Sequence, residues 1–212
     1  MNSGPGEGEA NRRPLASRSS TWAIAVAKTL VRTGVSPNAI SVASVFVAAA
    51  GACLIACKPS GPGLLGAAMC IQLRLLCNLF DGMVAIEGKR RSPTGGLYNE
   101  IPDRIADSLL IVALGYSIGQ PAVGWYGALA AAVTAYIRVL GGALGVAQDF
   151  RGPMAKQHRM AILTAGCVLG ALEWWLSRSN WALVSAAWVV AIGSTITCGT
   201  RTVAIAHRLN SR

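Results

Sequence analysis

Apolar blocks of about twenty residues, separated by short polar or Pro/Gly-bearing stretches, leave this chain few folds to choose from. From Ala39 to Cys57 there is no Asp, Glu, Lys or Arg. A run of that length is what a helix needs to cross the hydrocarbon of a bilayer. Overall charge agrees, since 13% of residues are charged and 53% hydrophobic, where a soluble domain carries about 25% charge. Mean hydropathy is +0.47. The expected fold is all-α, a polytopic membrane bundle of about six transmembrane helices preceded by an N-terminal interfacial helix.

A net charge of +10 raises the question of nucleic acid, but the distribution argues against it. The basic residues sit between apolar blocks, where the positive-inside rule places them. Cysteines 53, 57, 70, 77, 167 and 198 lie within apolar segments and form no CxxC pair, so they read as small hydrophobes.

Three domains are expected along the chain. Residues 1–19 form a disordered polar tail without the apolar core of a signal peptide. Residues 20–35 form an amphipathic helix in the headgroup region, with Trp22, Val26 and Leu30 on one face and Lys28 and Arg32 on another. Residues 36–212 form the six-span domain. Ser36-Pro37-Asn38 reads as a helix start, Ser36 capping and Pro37 first in the helix. Spans are expected at about 38–57, 64–86, 101–118, 122–147, 160–176 and 181–206. Lys58-Pro59-Ser60-Gly61-Pro62 forms a turn, and a loop over about 87–100 carries Lys89-Arg90-Arg91. Trp125, Trp174, Trp175 and Trp181 lie near span ends, as an interfacial belt requires. With the N-terminus inside, the outer loops hold only Lys58 and Arg178, so both termini are expected in the cytoplasm, most simply at a bacterial inner (cytoplasmic) membrane.

The informative feature is polarity inside the spans, because an ionisable residue at mid-membrane costs about 2.5–3.5 kcal/mol on insertion scales. In the second span Arg74, Asn78, Asp81 and Ala85 share one helical face; in the third, Glu100, Asp103 and Asp107 do. One cytoplasmic loop joins these helices, so the faces can meet near the membrane surface. Converging carboxylates repel unless cations are present. Oxygen donors in this pattern suit a divalent metal such as Mg²⁺ or Mn²⁺, and metal ions can clamp a diphosphate. The bland alternative pairs Asp81, Asp103 and Asp107 with Arg74, Arg104 and Arg138 as buried ion pairs.

These residues resemble the CDP-alcohol phosphatidyltransferase family, whose pattern is D-x-x-D-G-x-x-A-R, about eight residues, then G-x-x-x-D-x-x-x-D. Residues 78–86 (Asn-Leu-Phe-Asp-Gly-Met-Val-Ala-Ile) are similar to the first half, and 99–107 (Asn-Glu-Ile-Pro-Asp-Arg-Ile-Ala-Asp) to the second. Ser36-Pro37-Asn38 is similar to the family's entry motif. In this alignment Asn78 stands for the first Asp, Ile86 for the Arg and Asn99 for the second Gly, and the intervening loop is about four residues longer. Glu100, one turn before Asp103, could restore the lost charge.

The resemblance implies transfer of a phosphatidyl (substituted phosphate) group from a CDP-alcohol lipid donor to a small or lipid alcohol acceptor, with release of CMP. It implies Asp81, Asp103 and Asp107 as metal ligands with Asn78 a weaker one, and Asp107 as the general base; Glu100 is added as a further ligand from its position on the helix, not from the resemblance. Gly82, Ala85 and Asn99 would face the nucleotide. Independently, Arg138, Lys156 and Arg159 form a cationic set for a phosphorylated acceptor. The resemblance also suggests a homodimer, which glycines 141, 142, 145, 193 and 199 permit. Two other classes stay open: a catalytically silent membrane relative or scaffold, and a small cation-coupled transporter.

Overall fold

The computed structural model describes residues 20–57, 59–88 and 93–211. The expected tail over 1–19, Lys58 and Lys89-Arg90-Arg91 lie outside these residues. The described chain is helical: α1 (Thr21–Arg32), α2 (Pro37–Cys57), α3 (Gly61–Glu87), α4 (Gly95–Ser117), α5 (Pro121–Ala143), α6 (Lys156–Leu176) and α7 (Trp181–Asn210). Of these, α2, α3, α5, α6 and α7 are long and apolar enough to cross a membrane. Helix α4 has the length, with 23 residues, but Glu100, Asp103, Arg104 and Asp107 lower its hydropathy. The expected all-α, multi-pass architecture with a short helix before it is borne out.

The local signals explain most helix ends. The Ser36 hydroxyl accepts from the Ala39 amide at 3.1 Å, and Ser60 accepts from Gly63 at 3.2 Å with Pro62 in the first turn of α3. Helix α5 stops at Ala143 rather than 147. Gly145 turns left-handed with φ 77°, and the Val146 amide reaches back to the Gly141 carbonyl at 2.9 Å, a glycine C-terminal cap. Three starts fall earlier than the apolar pattern suggested, α3 among them, which begins at Gly61 inside the stretch read as a turn. Helix α4 begins at Gly95, so Asn99 and Glu100 are helical rather than in a loop, and α6 begins at Lys156 rather than 160. Apolar periodicity marks where a helix meets lipid or core, and the first turns of α4 and α6 meet neither.

The six long helices close into a ring in the order α2, α3, α6, α7, α5, α4 and back to α2, with α1 lying against α3. Apolar burial between helices gives little driving force in lipid, so close backbone approach carries the packing. At the α4–α5 crossing, a Cβ on Gly115 would lie 2.6 Å from the Gly124 Cα. Gly141 packs on Ile205 and Gly193 on Met154. Both glycines therefore serve contacts within the chain and are not open to a second copy. Trp125, Trp175 and Trp181 are exposed near helix ends. Trp22 of α1 meets Phe80 of α3 edge-on at 6.1 Å, anchoring the short helix beside the polar end of α3.

Because successive long helices alternate in direction, one end of the bundle collects residues that are distant in sequence. These are the first turns of α2, α4 and α6 and the last turns of α3, α5 and α7. The charged face of α3 and that of α4 meet there.

Candidate active site

Helix α3 contributes Arg74, Asn78 and Asp81 to this end, and α4 contributes Asp103 and Asp107. Arg74 is fully buried. Its Nη2 donates to Asp107 Oδ1 at 2.7 Å and to Asp103 Oδ1 at 3.2 Å. Asn78 Nδ2 donates to the same Asp103 oxygen at 2.9 Å, which leaves the Asn78 side-chain carbonyl as an oxygen donor. Asp81 accepts from Ser41 of α2 at 2.6 Å. The Lys156 ammonium of α6 meets Asp103 Oδ2, and Arg104 Nη2 lies 3.7 Å from that oxygen.

Asp107 sits deepest. Arg159 Nη2 donates to its second oxygen at 2.9 Å, so both carboxylate oxygens are held by guanidinium groups. The other terminal nitrogen of Arg159 is committed too. This Nη1 donates to the Met154 carbonyl at 2.8 Å and reaches the Thr134 hydroxyl at 3.3 Å. Arg74, Asp107 and Arg159 thus form a closed buried triad joining α3, α4 and α6.

Outside the triad the cations are more open. The Lys156 side chain is 26% exposed and that of Arg104 24%. Arg138 is 13% exposed and pairs with Glu100 at 2.5 Å. It also donates to Gln148 at 2.6 Å and lies over the Phe150 ring at 5.4 Å. Arg201 of α7, 4% exposed, donates to the carbonyls of Arg151 and Thr134 at 2.8 Å each. The loop between α5 and α6 is fixed by Asp149, on which Arg151 closes in a two-toothed grip at 3.0 and 2.7 Å. That grip holds the Asp149 carboxyl below its ordinary range.

Sequence reading and structure therefore agree on one point. Asn78, Asp81, Asp103 and Lys156 come together. Asp107 and Arg159 are joined to each other. Glu100 is turned to Arg138, which removes it from the carboxylate cluster. Asn99 is exposed on α4, while Gly82 and Ala85 are half-buried on α3. Ser41 and Arg201 belong to the same end but carry no mark in sequence; the first is one of two serines in an apolar span, the second a basic residue in the last turns of the final helix.

The donor set allows a test for metal. Among the described residues, no three His, Cys, Asp or Glu side chains converge as a cage. Asp81 and Asp103 with the Asn78 carbonyl offer hard oxygen donors of total charge −2, which matches one divalent ion. The residues fit that much.

No family model matches the chain. Among curated proteins it is 36% identical over 148 residues to the bifunctional IPC transferase and DIPP synthase of Rubrobacter xylanophilus, a match covering 67% of this chain and 33% of that protein. It is 28% identical over 184 residues to the phosphatidylinositol phosphate synthase of Streptomyces avermitilis, covering 83% and 74% respectively. The chain thus spans about a third of the first relative and about three-quarters of the second. Together with the motif on α3 and α4, these relatives decide the family. The chain belongs to the CDP-alcohol phosphatidyltransferases.

Solved structures give the same fold. The crystal structure of Mycobacterium tuberculosis phosphatidylinositol phosphate synthase with CDP-DAG bound superposes with TM-score 0.75 at 22% identity, covering 88% of this chain and 94% of that one. The same protein in complex with manganese and citrate gives 0.73 at 23% identity, covering 86% and 88%. At this identity the likeness speaks for the fold.

Proposed function

We propose that the chain is a membrane transferase that moves a substituted phosphate group from a CDP-alcohol, such as CDP-diacylglycerol, to an alcohol acceptor with release of CMP. The observation that carries the reading is the contact of Asn78 on α3, one helical turn from Asp81, with Asp103 on α4, at one end of the bundle and beside partly exposed cations. A carboxylate pair beside Lys156 and Arg104 suits a substrate that is itself a diphosphate.

The spacing of the family pattern supports a specific assignment. Eight residues after Ile86, 87–94, lead directly to Gly95, and Gly95-x-x-x-Asn99-x-x-x-Asp103 then follows with no insertion. In this register the last acidic position is Asp103. Asp107 is sealed deep between Arg74 and Arg159, whereas Asp103 lies beside the partly exposed Lys156 and Arg104, so the base in this reading is Asp103.

The steps follow from that placement. Asp103 takes the proton of the acceptor hydroxyl. The hydroxyl oxygen bonds to the phosphorus nearer the lipid, the bond from that phosphorus to the CMP phosphate oxygen breaks, and CMP departs. A divalent ion, Mg²⁺ or Mn²⁺, held by Asp81, Asn78 and Asp103, would supply charge to offset the diphosphate. Arg138 holds the acceptor where it carries a phosphate, and Arg201 props the loop beside it. Gly82 and Ala85 leave room for the nucleotide along α3. The same reading places the site and both termini on the cytoplasmic side of an inner membrane and allows a homodimer through surfaces other than Gly141 and Gly193.

The amides at positions 78 and 99 favour one rival, a catalytically silent member of the family. CMP release separates the two. Purified protein is given CDP-diacylglycerol, Mg²⁺ or Mn²⁺, and an acceptor panel of glycerol 3-phosphate, inositol phosphate, inositol, serine and phosphatidylglycerol. Release with one acceptor establishes the transferase and names its substrate. Absence of release with every acceptor, in protein that still binds donor, favours the silent relative.

A further inference from the structure

We infer that this site takes one divalent ion per chain rather than two, and that the Lys156 ammonium stands in for the second cation. The inference rests on the transferase reading and deepens it.

The charges at the site are unusually scarce on the acid side. The whole chain has nine Asp and Glu, and the structure accounts for those near the site one by one. Asp107 is consumed by two arginines. Glu100 is consumed by Arg138, and Asp149 by Arg151 and Arg208. Glu173 is spent on the Ala182 amide at the start of α7, the opposite end of the bundle. In the uninterrupted register, the four acidic positions of the family pattern carry Asn78, Asp81, Asn99 and Asp103. Glu87 stands exposed on the last turn of α3, so the buried carboxylates left for an ion are Asp81 and Asp103.

The cations are in surplus at the same place. Arg74, Arg104, Lys156 and Arg159 gather around three carboxylates. Several of their buried nitrogens have no acceptor: Arg74 Nε and Nη1, Arg104 Nε and Arg159 Nε. A cluster short of acceptors rather than donors has no place for four added positive charges, whereas two are balanced by Asp81 and Asp103. The second oxygen of Asp103 is already met by an ammonium on a long flexible stem. An ammonium there brings positive charge to the diphosphate without needing ligands of its own.

The test counts ions instead of turnover. Full-length protein in detergent with CDP-diacylglycerol is titrated with Mn²⁺ and followed by electron paramagnetic resonance, and CMP release is measured on the same sample. The inference expects one bound Mn²⁺ per chain with an uncoupled spectrum. Two ions per chain with exchange coupling, alongside CMP release, overturn it and leave the transferase standing. No bound ion and no release overturn both. The Lys156→Gln variant is expected to bind the first ion at least severalfold more tightly, and Lys156→Arg to keep wild-type affinity; an unchanged affinity in Lys156→Gln overturns the role given to Lys156. The triple variant Asn78→Asp, Asn99→Asp, Lys156→Gln should gain a second, coupled ion, and a triple variant that still binds one contradicts the charge argument.

Discussion

Arg74 of α3 and Asp107 of α4 form an ion pair at 2.7 Å, with their side chains 0% and 3% exposed. The pair is completed by Arg159 of α6, so three helices that approach the site from different parts of the chain are pinned at one depth. A buried charge left without its partner is costly, and this sets the first expectation. Arg74→Met should destabilise the bundle by about 3–5 kcal/mol, read as a lower unfolding midpoint in detergent. Arg74→Lys should recover only part, because the lysine stem is shorter and its ammonium falls short of the point where Arg74 Nη2 meets both Asp103 and Asp107.

Arg138 makes a different kind of contact, at the edge of the site. Its guanidinium is shared among Glu100, Gln148 and the Phe150 ring. With a phosphorylated acceptor, Arg138→Gln should raise KM for that acceptor by roughly 10–100-fold, the worth of one charged hydrogen bond, with a smaller effect on kcat. Steady-state CMP release at varied acceptor checks this. An unchanged KM places Arg138 in the scaffold.

Asp149 carries the pH expectation. Its carboxyl is held below the ordinary range chiefly by the Arg151 side chain, so the folded state prefers the ionised form. The stability it contributes is therefore fully present above the unfolded pKa of about 3.9 and is lost as pH falls through the lowered folded value. Hydrogen exchange in the segment 144–155 should accelerate below about pH 4, and Asp149→Asn should accelerate it already at neutral pH.

Much of this was legible in the sequence because lipid imposes simple rules. Uncharged runs such as Ala39–Cys57 declare their spans, and Ser36 declares its helix start. The facing of α3 and α4 followed from helical spacing alone. What the sequence did not disclose is partner choice. Spacing puts Glu100, Asp103 and Asp107 on one face, yet Glu100 turns to Arg138, Asp103 to Lys156 and Asp107 to the two arginines. Those choices depend on α5 and α6, which no local pattern ties to α4. The early starts of α4 and α6 escaped for a related reason. Gly95-Gly96 and Lys156-Gln157-His158 are poor markers of a helix, and their first turns form at a polar end where apolar periodicity has nothing to report.

The same contrast separates the two aspartates of α4. Asp107→Asn should lower stability with residual turnover, because the triad loses charge but keeps its shape. Asp103→Asn should retain the fold, because Lys156 and Arg104 remain partly exposed to water.

The most direct measurement is metal-dependent CMP release from CDP-diacylglycerol by the wild-type chain, Asp103→Asn and Asp107→Asn side by side, each with and without chelator. The account predicts release by wild type that chelation abolishes, a fall of about 10²–10⁴ in Asp103→Asn, and a lesser loss in Asp107→Asn that follows its lower stability. Full turnover by Asp103→Asn, or abolition by Asp107→Asn in folded protein, would contradict it.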